Sequence, residues 1–117
     1  MASIYTLQNA QAFGAAVGTA IPTQNSVGMS VWFVPASAYD GTANFEVSPD
    51  NGTTWFAIEM QSAAASATKA TTVASPAATT LYIAAVPTDC LFRVRLSGGT
   101  VGTLTVYAKH SNAVTAR

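Results

Sequence analysis

The chain has 117 residues, of which 50% are hydrophobic and 9% charged, and its five basic and five acidic side chains cancel. That length supports one domain around one core, and so sparse and balanced a charge excludes the basic footprint that binding DNA, RNA or an anionic membrane requires. No stretch approaches the ~20 continuous apolar residues of a membrane-spanning helix, and the single Cys90 excludes an intrachain disulfide.

The N-terminus Met1-Ala2-Ser3-Ile4-Tyr5 has no basic segment followed by an apolar stretch, so synthesis in the cytosol without a secretory signal is expected. Two Trp, four Tyr and five Phe in spaced positions argue for an ordered core. A typical domain is about 25% charged, so this surface must be covered by Thr, Ser, Asn, Gln and Ala instead. Such a surface repels its copies weakly and loses little hydration when buried, which favours assembly.

Turn residues recur along the chain with β-branched and aromatic runs between them, the spacing of an all-β sandwich or barrel. The first strand is expected over Ile4 to Gln8, and a second over Phe13 to Ile21, ended by Pro22. Val27 to Val34 follows. Val31 and Phe33 fall on one face with Trp32 and Val34 on the other, so this strand is expected to be central and covered on both sides until Pro35 removes a ladder donor.

Asp40-Gly41 is a turn signal. The clearest hairpin comes next: Asn44 to Ser48, the turn Pro49-Asp50-Asn51-Gly52, and a return arm from Thr54 to Met60. Phe45 and Val47 share one face opposite Glu46, while Phe56, Ile58 and Met60 alternate with Trp55, Ala57 and Glu59 and are expected inward. Ser62 to Ala78 is rich in Ala, Ser and Thr. Its composition suits a helix near Ala63 to Ala70, but it lacks the apolar stripe a helix needs to dock, so a mobile loop with an edge strand near Thr71 to Ala74 is the better expectation.

Three strands complete the chain: Leu81 to Val86, Leu91 to Ser97 and Val101 to His110, the last two joined through Gly98-Gly99-Thr100. Phe92, Val94 and Leu96 are expected in the core with Arg93 and Arg95 outward, and Leu104, Val106 and Ala108 alternate with Thr105, Tyr107 and Lys109. The sum is one domain, residues 1–117, folded as an antiparallel β-sandwich of about eight strands with a jelly-roll or immunoglobulin-like count. Residues 1–7 and 111–117 are expected as extended contact segments.

Candidate chemistry is thin. Asp50 and Asn51 could offer oxygens to calcium, but making the turn is the simpler role. Glu46 and Glu59 could be the facing carboxylates of a glycosidase; cross-strand pairing with Arg93, Arg95 or Lys69 is the alternative. Cys90 could be a nucleophile only with His110, and a small buried thiol is the favoured reading. Trp32 and Trp55 could form a sugar platform, though core packing is favoured. No phosphate loop, catalytic triad or dinucleotide fingerprint appears, so no enzyme, cofactor or metal is expected. Arg93, Arg95 and Arg117 are the candidate partner contacts; Arg93 and Arg95, on one strand face, could meet an acidic patch on the partner or equally pair with the two glutamates.

The run Phe45-Glu46-Val47-Ser48-Pro49-Asp50-Asn51-Gly52-Thr53-Thr54-Trp55 resembles a pattern in small β-sandwich proteins of tailed-bacteriophage virions, and the neutral composition and polar tail are similar to those of capsid decoration, or cement, proteins. The resemblance covers about a tenth of the chain. It implies a structural virion protein bound to the outer surface of the head as a trimer or dimer, with the major capsid protein as partner. Other readings stay open: a neck, tail or fibre-base component, or a carbohydrate-binding module, since similar hairpins occur there too.

Overall fold

Phe92, Val94 and Leu96 are fully buried and alternate with half-buried Arg93 and Arg95, giving one strand a core face and an outer face. The same period of two along the other long strands builds two antiparallel sheets around one core, in a computed structural model describing residues 3–24, 28–63, 69–78 and 80–111. Among these residues lie eleven strands: β1 (Ile4–Ala12), β2 (Ile21–Pro22), β3 (Gly28–Ala36), β4 (Thr42–Ser48), β5 (Phe56–Ala57), β6 (Met60–Ser62), β7 (Lys69–Ala70), β8 (Thr72–Ala74), β9 (Leu81–Ala85), β10 (Leu91–Ser97) and β11 (Thr103–Ser111). The first sheet has the order β1-β11-β3-β9-β6-β7; the second has β2-β10-β4-β5, with β8 also paired to β4. The all-β antiparallel sandwich is as expected, and the chain changes sheet at most of its connections.

The strand count exceeds eight because expected long strands are broken. Phe13 to Ile21 is not one strand: it turns at Gly14 (φ 101°) and Gly18 (φ 68°), touches β10 through an isolated Ala16–Leu96 bridge, and only then forms β2. Gly18 is required there, since a Cβ would collide with the Leu7 carbonyl and the Gln8 side chain. The expected return arm Thr54 to Met60 also splits. β5 pairs with β4 in the second sheet, and after Ile58-Glu59 the chain crosses so that β6 pairs with β9 in the first. Met60 is therefore buried and Ile58 packs on the core margin, but Phe56, on a two-residue edge strand, is 54% exposed rather than inward.

β3 runs past Pro35 to Ala36, so Pro35 does not end it; Val27 lies outside the described residues. β8 is the expected edge strand, β7 occupies Lys69–Ala70, and the loop or helix expected between them and β6 falls largely on residues 64–68, outside the described residues. β10 and β11 lie in different sheets, so the Gly98–Gly99 connection arches over the end of the sandwich instead of turning a hairpin. At the centre, the rings of Phe33, Phe45 and Tyr82 meet with centroids 5.7 to 6.3 Å apart. Each fully buried Phe stabilises the fold by about 1.5–3 kcal/mol relative to exposure.

Candidate interaction surfaces

The outer face of the second sheet carries the charges. The register sets Arg93 opposite Glu46, and Glu46 accepts from Arg93 Nε at 2.8 Å and from Arg95 Nη2 at 3.1 Å. Arg93 also lies over the Trp55 ring, 3.9 Å from its centroid, a cation–π contact. The structure thus gathers Arg93 and Arg95 on one carboxylate, while Arg117 lies outside the described residues. Ala57, not Glu59, stands opposite Glu46. Glu59 lines a shallow cavity of about 150 Å³ beside Lys69, Ile83 and Ala85 on the first sheet, so the two glutamates do not form a facing pair.

The outer face of the first sheet is different in kind. One row across it reads Thr6, Tyr107, Trp32, Leu81, and the next reads Ile4, Lys109, Ser30, Ile83, Gln61, where Ser30 and Gln61 are buried. Trp32 and Tyr107 are in ring contact at 5.7 Å, and beside them Val34 is 48% and Leu81 40% exposed. This corrects the expectation that both faces of β3 are covered: Val31 and Phe33 are in the core, but Trp32 is half-buried on an open outer face. Trp55 is also half-buried and outward, on the opposite sheet, so neither tryptophan packs in the core and the two form no common platform.

The two ends are knit by polar side chains. At one, Asp40 accepts from Thr100 N (2.7 Å), Val101 N (3.0 Å) and Thr100 Oγ1 (2.6 Å), tying the β3–β4 connection to the β10–β11 arch. Those bonds, the Thr100 hydroxyl first, hold its carboxyl down at a pKa of about 2. Beside it Tyr39 is buried against Gly41, and desolvation and then the Asp40 charge push its phenol up. At the other end Ser48 Oγ donates to Asp50 Oδ1 and accepts from Gly52 N, while Thr54 N donates to Asp50 Oδ1, all at 2.8 Å. Asp50 is thereby lowered, chiefly by Thr54, and Asn51 takes the left-handed backbone (φ 60°) that the turn needs. Asp50 and Asn51 make the turn, as the simpler reading had it.

Next to this turn an open cleft of about 400 Å³ is lined by Gln24, Asp50, Asp89, Cys90 and Leu91 among others. Cys90 is buried, its thiol directed at the Thr88 carbonyl (3.5 Å) and its N–H at Thr23 Oγ1 (2.9 Å). His110 instead meets the Tyr5 ring, centroids 5.4 Å apart and planes 81° to each other. Among the described residues no three His, Cys, Asp or Glu side chains converge on a metal position, and no helix is long and apolar enough to cross a membrane. Sequence reasoning missed the Asp40 hub and the open Trp32–Tyr107 face. The polar alternation of Thr105, Tyr107 and Lys109 on the neighbouring strand was the signal for the second.

No protein-family model matches the chain, and no curated protein matches it. Among solved structures, the crystal structure of the PBSX exported protein XepA superposes with a TM-score of 0.77 at 14% identity, covering 94% of this chain and 37% of that one. The chain therefore spans little more than a third of XepA. The crystal structure of the SPBc2 prophage-derived protein YomS superposes with a TM-score of 0.74 at 10% identity, covering 95% of this chain and 94% of that one. At such identities what is shared is the fold: the chain has the same sandwich as YomS over nearly the whole of both.

Proposed function

We propose that this protein is a structural component of a bacteriophage virion, without catalytic activity, that decorates the outside of the capsid as a small oligomer and bridges capsid subunits. The observation that carries the reading is the sandwich it has in common with a prophage-derived protein of the same size. The surface supports it: charges are few, the two candidate arginines both pair with Glu46, leaving one net positive charge, and an apolar part of an outer sheet face stands open. Many neutral contacts of this sort, repeated over the copies of a lattice, give avidity without one strong site. The partner is the major capsid protein, with no role for nucleic acid, membrane or cofactor.

The test is to mix purified protein with expanded capsids that lack it and sediment them. The expected result is saturable co-sedimentation in a fixed ratio to the capsid subunit. Protein left in the supernatant at saturating concentration contradicts the reading.

A further inference from the structure

The edges of both sheets are poor docking sites. β1 is broken by register shifts between Thr6 and Gln8 and between Gln8 and Gln11, with Ala10 at φ 47°, and the other outer strands β2, β5, β7 and β8 have two or three residues each. Bulged or very short edges resist strand-to-strand association. Association then falls to a face, and the second sheet's face is occupied by the Glu46 pairs and the Arg93–Trp55 contact. The open part of the first sheet's outer face remains, with Trp32, Val34, Leu81 and Tyr107 near its middle, while Ser30 and Gln61 in the next row are already buried.

We infer that this face joins two copies of the chain, related by a two-fold axis that runs along the strands between β3 and β9. Three features argue for a second copy as the occupant. A twisted sheet face is matched in shape by another of identical twist, packed about 10 Å away with strands nearly aligned. The four strands beside the axis, β11, β3, β9 and β6, have nine, nine, five and three residues, which at ~3.3 Å by ~4.8 Å each give a footprint of roughly 400 Å² in projection, the size of a weak, reversible interface of under about 600 Å² per partner.

The third feature is charge. Lys109 lies on the β11 flank and Glu59 on the β6 flank, and among the described residues neither has an ion-pair partner in its own chain. The stated axis lays β11 of one copy over β6 of the other. Lys109 is in the row of Gln61, two residues from Glu59, so the lysine meets the acid within ~7 Å along the strand, and it does so twice. The same axis sets Trp32 over Leu81 of the second copy. Lys69, on the last strand, falls at the rim near Ile4, where its stem covers apolar surface and its ammonium stays in water. With a net charge of zero, the copies have no long-range repulsion to overcome.

This deepens the oligomer included in the proposed function, but its test needs no capsid, so the two readings fail separately. Sedimentation equilibrium of the full chain over ~1–100 µM reads the dimer constant directly. Wild type is expected as a dimer. V34K, at an exposed position whose folding circular dichroism checks, and K109E are each expected to weaken it at least ~10-fold, and the double reversal K109E/E59K to return it within ~3-fold of wild type. A monomer at ~100 µM, a dimer indifferent to V34K and K109E, or a double variant no tighter than K109E overturns the inference. So does a monomer whose capsid binding V34K abolishes, because the face then belongs to the capsid protein.

Discussion

The side-chain amide of Gln8 donates to the carbonyl of Val94 at 2.9 Å, joining the first strand of one sheet to the middle of β10 in the other. β10 has β2 beside only Leu91 and Phe92 and a single bridge at Leu96, so Val94 lacks a strand partner on that side and the amide supplies one. The same nitrogen donates to Ala16 O at 3.1 Å, and Gln8 is 3% exposed. Gln8→Met keeps the length of the side chain and leaves both carbonyls unpaired. The expected loss is about 2 kcal/mol of unfolding free energy in urea, against no loss if the amide were incidental.

Asp40 makes stability depend on acid. Its folded pKa is about 2 against an ordinary 3.8, so the folded state favours the ionised form. The stabilisation is fully present above the ordinary value and is lost as pH falls toward about 2, because there the unfolded chain takes up the proton first. Asp40→Asn is expected to melt below wild type at neutral pH, with the gap closing as the pH drops through that window. Parallel melting curves from pH 7 to about 2 would remove Asp40 from this role.

Two neighbours of Asp40 should respond in opposite directions. Among the described residues the buried Tyr39 hydroxyl has no hydrogen-bond partner, so Tyr39→Phe is expected to be neutral or to stabilise by up to about 1 kcal/mol. Gly102 has φ 84°, and a Cβ there would strike the Ala36 carbonyl and the Tyr39 backbone. Gly102→Ala is expected to cost about 2 kcal/mol or more by chemical denaturation.

Local pattern carried much of this fold. The alternation around Arg93 and Arg95, and the Pro49-Asp50-Asn51-Gly52 turn, follow from side-chain period and turn chemistry alone, and both are where the sequence places them. Which sheet a strand joins is not local. Gly98-Gly99 serves an arch as well as a hairpin, and Asp40-Gly41 signals a turn without revealing that its carboxylate is held by Thr100, sixty residues on. Trp32 and Val34 read as a covered face because apolarity is visible in a sequence, whereas the absence of a covering layer is set by tertiary arrangement. The Glu46 pairing was legible as one of two alternatives, since register decides which charges meet.

Arg93 and Arg95 share Glu46 unequally. Arg93 is more buried and also stacks on Trp55, while the Arg95 side chain is 35% exposed. Arg93→Ala is expected to cost about 1–2 kcal/mol and to shift tryptophan emission to longer wavelength as Trp55 loses its cover. Arg95→Ala should cost less than about 0.5 kcal/mol and leave the emission unchanged. Equal effects would mean that the stacking contributes nothing.

The position of the protein on the particle tests the account most directly. Cryo-microscopy of intact virions, compared with particles lacking this protein, is predicted to reveal clustered sandwich-shaped densities, each about 36 × 32 × 25 Å, repeated over the outer capsid lattice. Density confined to the neck, tail or fibre base, or no difference between the two particles, would contradict it.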